Sequence, residues 1–202
     1  LYDIKKDPSQ TNDIIKANPE VAQRLKQEYE NWWQDIKGTF SEPTAIHIGD
    51  VRANPVSLTS HDWLGDNAEV PWQQKQIRQA MRETDGKHKG YWYLDIKTAG
   101  KYKFKLSRWP TEVNKPIISS MVAGKKVAGS PAFRANAGLA FEAVKASISI
   151  SALSETKTVS ADDHYIEFEL ELPVGKSKLV AAFIDKNAQE LGAFYVEVEK
   201  VN

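Results

Sequence analysis

The run Ile-Glu-Phe-Glu-Leu-Glu-Leu, residues 166–172, constrains the fold more than any other stretch of the chain. Its strict alternation matches the two-residue period of a β-strand. Ile166, Phe168, Leu170 and Leu172 share one side, and Glu167, Glu169 and Glu171 share the other. Such a strand buries one face and wets the other, as antiparallel sheets do. The same reading places Tyr102, Phe104 and Leu106 inward and the lysines of KYKFKLSRW (101–109) outward. TAIHIG (44–49), PVSLT (55–59), GYWYLDI (90–96), KASISISAL (145–153), SKLVAAFID (177–185) and GAFYVEVEKV (192–201) are further strand-like runs. TAGKY (98–102), PVGKS (173–177) and KNAQELG (186–192) supply turns between them. Short alternating strands spaced by turns predict a mainly-β chain built as an antiparallel β-sandwich.

The first residues read differently. LYDI (1–4) is expected to form a short strand and KKDPSQTND (5–13) a polar loop. A helix then starts, with Asn18 as cap, Pro19 at its first position and Glu20 at the positive end of the dipole. Val21, Leu25, Tyr29, Trp32, Trp33 and Ile36 recur at helical spacing and define one apolar face, ended by Lys37-Gly38. The expected division is therefore a strand-loop-helix piece over 1–38 and a β-sandwich over 39–202. QQKQIRQAM (73–81) fits either a short helix or an extended loop, and the Gly/Ala/Ser-rich stretch 114–140 carries no clear period.

Composition narrows the function. Lys+Arg and Asp+Glu are each 27, so the formal net charge is zero and no basic stripe points to nucleic acid. No apolar run is long enough to span a membrane. With no Cys, the chain has no disulfide, thiolate metal site or Cys nucleophile. His47, His61, His88 and His164 show no zinc-hydrolase spacing. There is no G-x-S-x-G elbow and no phosphate-binding glycine loop. No catalytic residue and no metal ligand is therefore assigned.

The densest unusual chemistry lies in LTSHDWLGDNAEVPWQQKQIR (58–78). It sets His61, Asp62 and Trp63 near Asp66, Trp72, Gln73 and Arg78, in a run expected to be a long loop at one end or edge of the sandwich. Two readings stand side by side. Indole faces with Asp, Gln and Arg side chains suit a sugar, and Arg suits a sulfate or carboxylate. Equally, His-Asp can tie the loop to backbone while both indoles plug the sandwich end.

LYDIKKDPSQTNDI followed by NPEVAQRLKQEYENWW resembles the closing segment of bacterial sulfatases of the arylsulfatase family. Gln10 stands where Glu is usual there, and Asp13 follows Asn12. HDWLGDNAEVPWQQKQIR, GYWYLDIKTAGKYKFKLSRWP and GAFYVEVEKV are similar to an accessory domain appended to some of these enzymes. The resemblance implies a jelly-roll, galactose-binding-like sandwich. It also implies that the chain is the C-terminal part of a larger enzyme that hydrolyses sulfate esters, on this reading esters of glycans. The parent's formylglycine arises from a C-x-P-S-R or S-x-P-S-R motif, and its calcium from Asp/Asn ligands. Neither motif occurs here, so no cofactor is expected in this chain and no activity from it alone. The implied partners are the sulfatase domain, contacted by Tyr29, Trp32 and Trp33, and a sulfated glycan. A dimer through the helix face is a further expectation, and the implied location is periplasmic or extracellular. Two other readings remain: a free-standing carbohydrate-binding module, and a purely structural or oligomerising domain.

Overall fold

The computed structural model describes residues 1–65, 68–71, 73–81, 89–125 and 136–201. It divides into two compact units, Leu1–Pro43 and Thr44–Asn202.

The first unit is built on one helix, α1, Pro19–Ile36, continued by a 3-10 turn over Lys37–Ser41. Pro19 sits in its first turn, where a missing N–H costs nothing. Asn18 does not cap with its side chain; its Nδ2 instead donates to Ile14 O at 3.1 Å. The expected strand over LYDI is a turn. Asp3 accepts the amides of Lys5 and Lys6 on its carboxylate, and its carbonyl accepts those of Lys6 and Asp7. A four-residue strand needs a neighbour, and local Asp-backbone bonding satisfies the same groups within the turn.

The second unit is mainly β and holds two sheets. Its strands are β1 Ile46–Ile48, β2 Val56–Thr59, β3 Trp92–Ile96, β4 Gly100–Ser107, β5 Ala143–Ile150, β6 Leu153–Thr158, β7 Ile166–Leu172, β8 Gly175–Asp185, β9 Glu190–Gly192 and β10 Tyr195–Lys200. The larger sheet runs β1-β3-β8-β5-β6, with β9 also paired to β8; the smaller runs β2-β10-β4-β7. Apart from the hairpins β5–β6 and β8–β9, each described strand is followed by one in the other sheet. Among the described strands pairing is antiparallel, except that β1 lies parallel to β3 at an edge. Between those two the chain visits β2 in the opposite sheet and so can re-enter in the same direction.

The alternation of β7 is realised residue by residue. Ile166, Phe168, Leu170 and Leu172 are buried and meet Tyr102, Phe104 and Leu106 of β4, Val196 and Val198 of β10, and Leu94, Ile96, Ile148, Leu179 and Phe183 of the opposite sheet in one core. Each large apolar side chain withdrawn there contributes roughly 1.5–3 kcal/mol. Outside, the Lys–Glu ladder of β4 and β7 pairs Lys101 with Glu169 at 3.3 Å and Lys103 with Glu167 and Glu169 at 3.6 Å. Tyr102 is fully buried and donates its hydroxyl to Thr98 O at 2.5 Å. That hydroxyl is seated against Gly49 (φ 74°), where any Cβ would collide with it. No described helix is long and apolar enough to cross a membrane.

Candidate functional site

The described residues of the run 58–78 form a plug rather than a shelf. After β2 the chain makes a 3-10 turn over Ser60–Asp62. His61 and Asp62 are exposed, and Asp62 Oδ2 accepts the Thr59 hydroxyl at 3.2 Å. Trp63 turns the other way. It is 3% exposed, stacks on Phe194 at 5.6 Å between centroids and meets Trp92 edge-on at 5.8 Å. Gly90 lies so close that a Cβ there would sit 2.6 Å from Trp63 Cβ. An indole held this way presents no face to a sugar ring. Leu64 then bridges Tyr91 by two backbone bonds of 2.8 and 3.0 Å, which pins the segment to the larger sheet.

Gln73 and Arg78 also take structural roles. Gln73 caps the short helix α2, Gln74–Arg78, in a reciprocal capping box with Gln76. Arg78 is 7% exposed and donates to Asn136 O at 2.9 Å, Val122 O at 2.6 Å and Met121 Sδ at 2.8 Å. It binds its own chain, so its guanidinium is not presented to a sulfate. Trp72 and Asp66 lie outside the described residues. The six side chains His61, Asp62, Trp63, Trp72, Gln73 and Arg78 were expected to share one sugar-facing surface or to serve structure. Trp63 serves structure through its buried ring packing, Gln73 through the capping box, and Arg78 through its bonds to backbone carbonyls. No group of acidic and histidine side chains able to hold a metal occurs among the described residues.

Two other features of the molecule face outward. The first belongs to α1. None of its residues is buried. Tyr29 and Trp32 are 55% and 54% exposed, with Trp33, Leu25 and Phe40 exposed beside them. Their rings form a chain, Tyr29–Trp32 at 5.8 Å, Trp32–Trp33 at 6.4 Å and Trp33–Phe40 at 5.4 Å. Apolar patches of this kind mark interaction surfaces.

The second is a cleft of about 900 Å³ on the outer face of the smaller sheet. Strand register builds its floor. One outward row runs Thr59, Tyr195 and Ser107 across β2, β10 and β4. The next runs Ser57, Glu197, Lys105 and Glu167 across all four strands. Lys105 Nζ bonds Glu197 at 2.8 Å and lies 5.7 Å from the centroid of the Tyr165 ring. Burial, with the Glu112 charge adding to it, pushes the Tyr195 phenol up, so it keeps its proton. Walls rise from Trp109–Lys115 after β4 and from Asp162–Tyr165 before β7. Sequence reasoning passed over this face because it sought function in loops. The signal was available in the phase of the strands, since Tyr195 and Lys105 fall on outward positions of β10 and β4.

No family model matches the chain, and no curated protein matches it. Among solved structures, the crystal structure of a ruminal GH26 endo-β-1,4-mannanase aligns with a TM-score of 0.38 and 16% identity. The alignment covers 73% of this chain and 26% of that one, so this chain spans about a quarter of that structure's length.

Proposed function

We propose that this chain is the non-catalytic C-terminal part of a sulfatase-type enzyme acting in the periplasm or outside the cell. On this reading α1 seats on the catalytic domain and the sandwich braces it. The observation that carries the proposal is the ring chain Tyr29–Trp32–Trp33–Phe40, an aromatic face with none of its members buried. An 18-residue helix gains most of its stability from packing its apolar face, so this face calls for a partner. The resemblance of residues 1–33 to the end of the sulfatase C-terminal subdomain supplies that partner. Formylglycine and calcium would belong to the catalytic domain, and the sulfate ester would be cleaved there.

The test begins with the reading frame upstream of Leu1. A segment carrying C-x-P-S-R or S-x-P-S-R supports the proposal, and a frame without one overturns it. In the full-length protein, Trp32→Ala combined with Trp33→Ala should loosen the junction and expose it to protease. The melting temperature of the sandwich should stay unchanged. Equal resistance of variant and parent would reject the seating.

A further inference from the structure

The outer cleft of the smaller sheet has a chemistry of its own, independent of the sulfatase reading. Its floor is rich in hydroxyls: Ser57, Thr59, Ser107 and Tyr195. Tyr165 stands at its edge, 51% exposed, with Lys105 Nζ on one side of its ring. Aromatic rings offer apolar faces to the C–H side of a saccharide, while their hydroxyls and neighbouring carboxylates accept and donate at its rim. The span across four strands is about 14 Å from first to last, which suits a short oligosaccharide better than a single ring.

Charge decides what kind. Glu112, Asp162, Asp163 and Glu197 line the cleft against Lys105 and Lys115. Lys105 is engaged by Glu197, which sets Lys115 against the three further carboxylates of Glu112, Asp162 and Asp163 and leaves the lining acidic on balance. A polyanion approaching this face would meet like charge, and like charges brought together in an interface disfavour binding. The Tyr195 phenol is neutral and adds no anion of its own.

We propose that this cleft binds a neutral oligosaccharide, with Tyr165 and Tyr195 as its aromatic contacts and the Lys105–Glu197 pair fixing its hydroxyls. The site excludes sulfated chains. A sulfatase tail carrying it would hold on to uncharged stretches of a substrate, or to the desulfated product, while the sulfated part lies elsewhere.

The test is affinity electrophoresis of the intact chain. Native gels are cast with hydroxyethylcellulose, galactomannan or xyloglucan in one set, and with chondroitin sulfate or carrageenan in the other. Retardation by at least one neutral polymer and by neither sulfated one is expected. Tyr165→Ala, a surface change, should weaken that retardation roughly five- to tenfold with the melting temperature unchanged. Glu197→Gln tests the paired charge and should weaken it severalfold. Retardation by the sulfated polymers alone overturns the proposal. So does free migration in all gels, or retardation that both variants retain. None of these outcomes bears on whether a sulfatase domain precedes the chain, which the upstream reading frame decides separately.

Discussion

Replacing Trp63 by Ala gives the sharpest test of how the 58–78 run folds. A shelf indole could be removed with loss of sugar binding alone. The structure instead sets the ring between Phe194 and Trp92, almost wholly out of water. A buried aromatic withdraws about 150–250 Å² of surface. At roughly 25 cal/mol per Å² this is about 4–6 kcal/mol as an upper bound. Core Trp→Ala changes cost about 3–5 kcal/mol. Taking ~4 kcal/mol, and about 2–4 °C per kcal/mol for a domain of this size, the melting temperature should fall by about 8–16 °C. Trp63→Phe keeps a ring on Phe194 and removes an indole N–H that meets no acceptor among the described residues. It should cost less than about 2 kcal/mol. Calorimetry on the three proteins, with near-ultraviolet circular dichroism of the Trp63–Trp92 pair, measures both. A fall below about 3 °C for the Ala variant would refute the packing argument, and lost sugar binding beside it would restore the shelf.

Other consequences can be checked alongside. Gly49→Ala combines a left-handed backbone with a collision against the Tyr102 hydroxyl, and should cost on the order of 2–4 kcal/mol in urea unfolding. In the Tyr102→Phe background the same change should cost measurably less, which a double-mutant cycle would show. Arg78→Ala strips the carbonyls of Val122 and Asn136 of their donor and should cost about 2–4 kcal/mol, with Arg78→Lys rescuing only part because one ammonium cannot copy the fork. The carboxylates of Asp50, Asp95 and Glu169 are held below their ordinary values by hydrogen bonds from Arg52, Lys97 and Lys101. Their contribution is complete above the ordinary values of 3.8 and 4.5 and is lost as pH falls below them. The melting temperature should therefore be level near neutrality and drop below about pH 4, and Asp95→Asn should flatten that drop. If the α1 face pairs with a second copy when its partner domain is missing, light scattering should show a concentration-dependent dimer that Trp32→Ala weakens.

Much of the sandwich was legible because period-two patterning is a direct imprint of half-burial. β4, β7 and β10 declare themselves through Tyr102, Phe168 and Val196 at alternate positions. β6 does not, since every residue of LSETKT is exposed and the strand exists only through its pairing with β5. Nothing in its side chains records that pairing. LYDI failed in the opposite sense: its composition favours a strand, yet a strand requires a neighbour, and the Asp3 turn needs none. Trp63 left both readings open for a related reason. A Trp in a polar run looks displayed, but the residues that swallow it, Trp92 and Phe194, are far away in sequence. The cleft residues were readable in principle. Finding them required following the outward phase of β10 and β4, and the register that sets Tyr195 beside Thr59 and Ser107 is a tertiary fact.

The strand order carries a consequence for synthesis. β10 is the last strand of the unit, yet it lies between β2 and β4 in the smaller sheet. Among the described strands, as the chain emerges from a ribosome, β2 has no partner until almost the whole unit has been made, and β4 has only β7. The backbone edges of both that pair with β10 must wait, open to other molecules, for a strand that begins some 90 or more residues after β4 begins. Tyr195 and Glu197 arrive with that strand, so the outer cleft is completed in the same event that closes the fold. A premature stop before Tyr195 would leave not a smaller sandwich but two unmatched strand edges, and with them an invitation to aggregate.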